Sequence, residues 1–351
     1  MTAAPTEAQL RELGRTEGEA PVLAVLAHGQ HTRRLLLIRM LFDALAAAPD
    51  PAAGLAREHA ALLEPAERAA PGAARRVLFY PLTGPWAERC VRRLEQGDHA
   101  AAARDLAPLG SLAAAAAVRS GVAFTTRATV RDGRVALPTL GALRDTGPDG
   151  SPAELTGDGD RLVMRAAGRP PVEVYRDAAG AWRSDDPRWL PLHTLDGGPR
   201  PVLLDDLDPG RHAGRGAAPF GIGARDSLAP EERARWAELW RGALPLLRLG
   251  GAARSAELAL LECIVPMMGP PAARPGAGAH SSGTSPTAFG AVLASPPPGP
   301  ADLAAGLTHE LQHAKLAARS AGPVRRHLYT THSPRIRHQT RQPRYAGQNN
   351  T

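Results

Sequence analysis

Aromatic side chains are scarce in this sequence: Phe, Trp and Tyr make up 4% of its 351 residues, although 43% are apolar. A core so short of rings must be built from alanine, leucine and valine, and that composition favours helix with some strand. Lysine is almost missing. Lys315 is the only one, so arginine supplies nearly all the positive charge; with the abundant Ala, Gly and Pro, this reads as the mark of GC-rich coding rather than of a dedicated arginine surface. Cysteine is limited to Cys90 and Cys263, which excludes a disulfide framework and fits a reducing compartment. Long apolar runs are lacking too: Leu112–Val118 is too short and too alanine-rich to span a bilayer. Met1–Glu19 is polar, without the basic-then-apolar pattern of a signal peptide. Together these absences predict a cytoplasmic chain with no membrane partner.

One further absence is local. Nothing after Glu310 is acidic, and Arg319–Thr351 holds seven arginines. Those seven account for the whole formal excess of +7, so the body of the chain is balanced. No basic stripe marks a folded face, and a nucleic-acid partner is not expected.

What is present divides by texture. Residues 1–121 form an N-terminal helical region, with helical spacing of Leu23, Leu26, Leu35, Ile38, Leu41, Phe42 and Leu45 in Pro21–Ala48 and further helix over Ala52–Leu63, Trp86–Leu94 and Asp98–Ser120. Residues 122–205 are β-rich. Short apolar segments at Val122–Val130, Arg134–Leu140, Arg161–Ala166 and Val172–Tyr175 are separated by turn residues, and Asp132-Gly133 predicts a hairpin over Ala123–Leu140. Trp182, Trp189 and Leu192 are expected to cover that sheet. Helix returns over 206–318, where Pro230-Glu231-Glu232 opens one helix after Ser227 and Ser255–Leu261 is another candidate. Met268–Gly283 reads as a loop and Ala288–Leu293 as a short strand. Residues 319–351 are an atypical basic tail without apolar periodicity, expected to be disordered. The fold class predicted is α+β, mainly helical, with a small antiparallel sheet in the middle of the chain.

The chemistry-bearing pattern is His309-Glu310-Leu311-Gln312-His313. It lies in a run, Leu303–Ala318, that has no proline and is introduced by Pro300 and Asp302. Histidines four apart share one helix face a turn from each other, so both imidazoles can meet one metal ion. Glu310 beside the first of them can hold or deprotonate a metal-held water. Leu303, Leu307 and Leu311 form one apolar line, and Ala305 and Leu316 flank the histidines, which predicts a helix enclosed on both sides. A useful site needs a third ligand. His280, in Ala279-His280-Ser281-Ser282-Gly283, is the candidate; His327, His332 and His338 in the tail are passed over. The downstream glutamate ligand of a thermolysin-like protease is excluded, since no acid follows Glu310.

Several segments together resemble a known family. They are Arg33-Arg34-Leu35-Leu36-Leu37, Tyr80-Pro81-Leu82 with Trp86-Ala87-Glu88-Arg89, Leu204-Asp205-Asp206-Leu207-Asp208-Pro209, and the stretch from Ile264-Val265-Pro266 through Ser281–Ser285 and Ala288-Phe289-Gly290-Ala291 to Thr308–Leu316. Over most of residues 20–318 the chain resembles the actinobacterial HEXXH-motif proteins found beside peptide-modification gene clusters, grouped as 2-oxoglutarate-dependent HExxH-type peptide β-hydroxylases. The resemblance implies iron(II), with 2-oxoglutarate and O₂ as co-substrates, and hydroxylation of a side-chain β-carbon in a ribosomally made precursor peptide, with maturation enzymes as partners. It makes His309 and His313 iron ligands and Glu310 a ligand, an acid–base group or a structural residue. It singles out no arginine for the distal carboxylate of 2-oxoglutarate. The chain departs from its relatives after Ala318, where they continue the helix with a leucine-rich run; the basic tail reads as a frameshifted or truncated end, which would leave the protein inactive. Two other readings stand beside this one. They are a zinc metallopeptidase with Glu310 as general base, and a non-catalytic module that binds a peptide or partner along the β-segments of 122–175.

Overall fold

The computed structural model describes residues 6–14, 18–48, 51–212, 227–268 and 280–319. Its first part is helical: α1 (Glu7–Leu13), α2 (Ala20–Ala47), α3 (Pro51–Ala69), α4 (Pro71–Leu78), α5 (Thr83–Glu95), α6 (His99–Leu106) and α7 (Pro108–Arg119). Proline stands in the first turn of α2, α4 and α7, where its missing N–H is no loss. The stretch predicted as one helix from Asp98 to Ser120 is two, because Pro108 cannot continue the hydrogen-bond ladder of α6 and starts α7 instead. Asp98 caps α6 by accepting the Ala101 N–H at 3.1 Å. Leu109 to Val118 of α7 are all buried. Small residues permit this: a Cβ on Gly110 would run into the carbonyl oxygen of Arg127.

Two antiparallel sheets follow. The larger has the order β1 (Phe124–Thr129), β4 (Pro152–Asp158), β5 (Arg161–Ala166), β6 (Val172–Arg176), β7 (Trp182–Arg183); the smaller joins β2 (Arg134–Leu137), β3 (Gly141–Arg144) and β8 (Trp189–Pro191). The predicted hairpin needs correction. Asp132 and Gly133 do form a tight turn, with left-handed φ of 49° and 68°, as a type I′ turn requires. Only Arg131 and Arg134 pair across it. Beyond them the strands part, β1 to β4 and β2 to β3. Trp182 and Trp189 are buried in the core that the sheets share with the helices of the first part, while Leu192 is half-buried.

A third sheet positions the candidate site. Its order is β12 (Ser282–Gly283), β13 (Ala291–Ala294), β11 (Cys263–Pro266), β10 (Val202–Leu204), β9 (His193–Leu195), and the β13–β11 and β11–β10 pairs are parallel. Parallel neighbours need a crossover; α8 (Pro230–Arg248) and α9 (Gly251–Leu258) supply it between β10 and β11. α10 (Pro300–Arg319) then packs on α8, burying Leu303, Leu307 and Leu311 in one core with Trp236, Leu239 and Trp240. The molecule is α+β and mainly helical, as its composition predicts, but its strands extend well beyond the middle of the chain. Residues up to Arg319 form one compact unit. The basic tail beyond Arg319 lies outside the described residues. No helix among the described residues is long and apolar enough to cross a membrane.

Candidate metal-binding helix and its surroundings

Helical spacing places His309 and His313 side by side on α10, with their Nε2 atoms 2.9 Å apart and their rings edge to face at 77°. At that separation the two nitrogens share a hydrogen bond, and both are placed to reach one ion. Both histidines are exposed. This overturns the enclosed helix expected from the pattern, because Ala305 and Leu316 on the histidine side are exposed as well. A groove of about 500 Å³ runs along that side, with Leu246, Leu247 and Arg254 on one wall and Ala304, Thr308 and His309 on the other.

Glu310 faces elsewhere. It is buried, and its Oε1 accepts a hydrogen bond from the Ser282 hydroxyl of β12 at 2.8 Å. His280 lies on this inner side too. Its Nδ1 is 3.1 Å from the Ser295 carbonyl, to which it can donate, while its Nε2 is buried without a hydrogen-bond partner. A Cβ on Gly306 would stand 3.1 Å from that Nε2, so the glycine lets the imidazole lie flush against α10. Among the described residues no three His, Cys, Asp or Glu side chains gather to hold an ion. The structure therefore does not bring His280, the expected third ligand, to His309 and His313. His280 packs instead into the gap left by Gly306, one turn before His309 and Glu310 on the same face of α10.

The register of α10 is held by an ion cluster that sequence reasoning does not find. Glu257 of α9 is fully buried; its carboxylate pairs with Lys315 and Arg254 and accepts from Gln312 Nε2 at 3.2 Å. The chain's only lysine is thus 1% exposed, an uncommon place for a residue that is almost always at the surface. Its one sequence signal is its position, a turn after Leu311 on the buried face. Gln312, inside the motif, is part of this cluster rather than of the groove.

A small core of Tyr80, Leu82, Cys263, Val265, Ala288 and Ala291 joins the 80–82 segment to β11 and the start of β13. Arg34 is buried, donates to the Phe289 carbonyl at 3.3 Å, and has its pKa drawn down to about 10 by burial, with Glu262 opposing. A Cβ on Gly84 would collide with the Thr287 carbonyl. The Tyr80 hydroxyl donates to the Asp205 carboxylate, which also accepts the backbone N–H groups of Leu207 and Asp208 at 3.0 and 2.9 Å. Burial, and next the Asp205 charge, push the Tyr80 hydroxyl well above its ordinary range; burial does the same to the Cys263 thiol. Asp206 accepts from the Leu228 N–H at 2.7 Å and from Arg233 at 3.2 Å, tying β10 to the start of α8. These polar groups largely bond to one another, although Asp206 Oδ1 and Arg233 Nε are buried without a hydrogen-bond partner. Comparison of the chain with family models, with curated proteins and with solved structures finds no match.

Proposed function

We propose that the chain is an iron- and 2-oxoglutarate-dependent hydroxylase acting on a side-chain β-carbon of a ribosomally made precursor peptide. The observation that carries this reading is the exposed His309–His313 pair, whose Nε2 atoms, 2.9 Å apart, could together reach one ion beside the groove that His309 lines. Iron(II), when bound, supplies the chemistry by which O₂ inserts one oxygen atom into a C–H bond and the other into 2-oxoglutarate, which leaves as succinate and CO₂. His309 and His313 hold the ion through Nε2. Arg254 is the groove's arginine, fixed by Glu257 through Nη1, and is the residue suited to face a co-substrate carboxylate. The exposed groove leaves room for a peptide.

The zinc peptidase reading needs Glu310 to reach a metal-held water. Glu310 is instead buried and bonded to Ser282, which counts against it as a base and for it as a structural residue. To test the proposal, the chain is purified without oxygen, loaded with iron(II) or zinc(II), and assayed with a candidate precursor peptide for succinate and peptide mass. A gain of one oxygen atom that requires iron and 2-oxoglutarate is the expected result. Cleavage with zinc would establish the peptidase instead, and tight peptide binding without turnover a non-catalytic module. His309→Ala should lose the metal; unchanged metal content in that variant would overturn the site.

A further inference from the structure

A second hollow, remote in composition from the histidine groove, shares no lining residue with it. This cavity of about 670 Å³ is bounded by α5, the start of α7, the 131–134 turn and the segment after β10, and its size falls within the range of about 300–1,000 Å³ usual for small-molecule sites. Leu82, Trp86, Leu112 and Leu207 give it apolar walls. Four arginines also line it: Arg89, Arg131, Arg134 and Arg211.

The acidic residues of the cavity do not answer all of these. Asp105 is engaged by Arg89 at 3.6 Å and by Arg93 at 3.7 Å. Asp132 is exposed at the tip of its turn. Asp208 accepts the Gly210 N–H at 2.6 Å, and burial, then the Asp205 charge, raise its pKa to about 7. Arg131 and Arg134 are half-buried and make no ion pair or side-chain hydrogen bond among the described residues. They are directly opposed across the Asp132-Gly133 turn, exchanging backbone hydrogen bonds of 2.9 and 3.0 Å. Like charges so placed destabilise a strand pair. Arg211, by contrast, donates to the Asp208 carbonyl at 2.7 Å, and after burial the charges of Asp205 and Asp208 act on it before that of Arg134. Two guanidinium groups with no ion pair among the described residues thus line one wall, a grouping that an anion between them would relieve.

We propose that this cavity binds a small organic anion, with its carboxylate or phosphate at Arg131 and Arg134 and an apolar portion against Trp86 and Leu112. The site is independent of α10 and of the hydroxylase reading. The test is calorimetric titration of the full chain with 1-naphthoate, 1-naphthyl phosphate, neutral 1-naphthalenemethanol, inorganic phosphate and a glutamate-rich hexapeptide.

At least one naphthyl anion should bind and the neutral alcohol should not. The better of the two anions identifies the head group, and weaker binding of inorganic phosphate confirms the apolar portion. The double variant Arg131→Gln/Arg134→Gln should bind at least tenfold more weakly while melting no lower than the wild type, since it removes a like-charge pair. His309→Ala should leave the affinity unchanged. Equal affinity in the double variant, or no binding of either naphthyl anion, overturns the proposal. Tighter binding of the hexapeptide than of both naphthyl anions overturns the small-molecule assignment in favour of a peptide.

Discussion

The two sides of α10 differ more than their shared pentapeptide would lead one to expect. On one side His309 and His313 stand exposed, with His309 lining an open groove. On the other, a turn or less away, Glu310, Leu311 and Lys315 are buried, and Gln312 reaches Glu257. A motif recognised as one unit is divided by the fold into an exposed pair and a trio turned toward the interior. The exposed pair can carry function with little bearing on stability, whereas the buried trio sets where that pair stands. Each half can be challenged separately.

The largest effect belongs to the buried half. Glu257→Ala removes the one carboxylate shared by Lys315 and Arg254, leaving two buried cations without it, and should cost about 3–5 kcal/mol, read from urea unfolding followed by circular dichroism. Lys315→Met should cost less, because Arg254 and Gln312 remain on the carboxylate. A loss below about 1 kcal/mol for Glu257→Ala would show that the buried cluster does not anchor α10, and the contrast between the two sides would fail.

An intermediate effect is expected at Ser282. Its hydroxyl is the donor to the buried Glu310 carboxylate, and a buried acceptor left unsatisfied costs on the order of 1–3 kcal/mol. Ser282→Ala should therefore lower the midpoint of thermal unfolding by several degrees, while Glu310→Gln, which keeps an acceptor oxygen for Ser282, should change it little and should still bind metal. If Glu310→Gln instead abolished metal binding, Glu310 would have to turn outward to the histidines.

How far this was legible in the sequence varies by element and has physical causes. The helix at 300–319 is marked by proline and aspartate at its start and by the Leu303–Leu307–Leu311 line, all local signals. Its enclosure was misjudged because apolar residues beside the histidines do not imply burial; single exposed residues such as Leu316 are ordinary. The Asp132-Gly133 turn was readable, yet turn chemistry says nothing of which strands then pair, and β1 finds β4 instead of β2. The third sheet was harder. Cys263–Pro266 is buried at every position and has no alternation to distinguish strand from buried helix. Lys315 finds its partner 58 positions away, and no local pattern reports such a pairing. Arg131 and Arg134 read as ordinary turn-flanking charges until the fold sets them on the wall of a cavity.

The smallest effect should come from the exposed pair in the absence of metal. His309 and His313 contact each other and lie on an open face, and alanine is the better helix former by a few tenths of a kcal/mol at an exposed position. The double variant His309→Ala/His313→Ala should therefore keep its stability within about 0.5 kcal/mol of the wild type when both are metal-free. Adding iron(II) without oxygen should separate them. An ion present at 100 times its dissociation constant stabilises the wild type by about 2.7 kcal/mol, and it should leave the variant unmoved. Thermal unfolding of both proteins with and without the ion decides the matter. A metal-free variant that melts far below the wild type would mean that the histidines, like the trio behind them, serve to hold α10 in place.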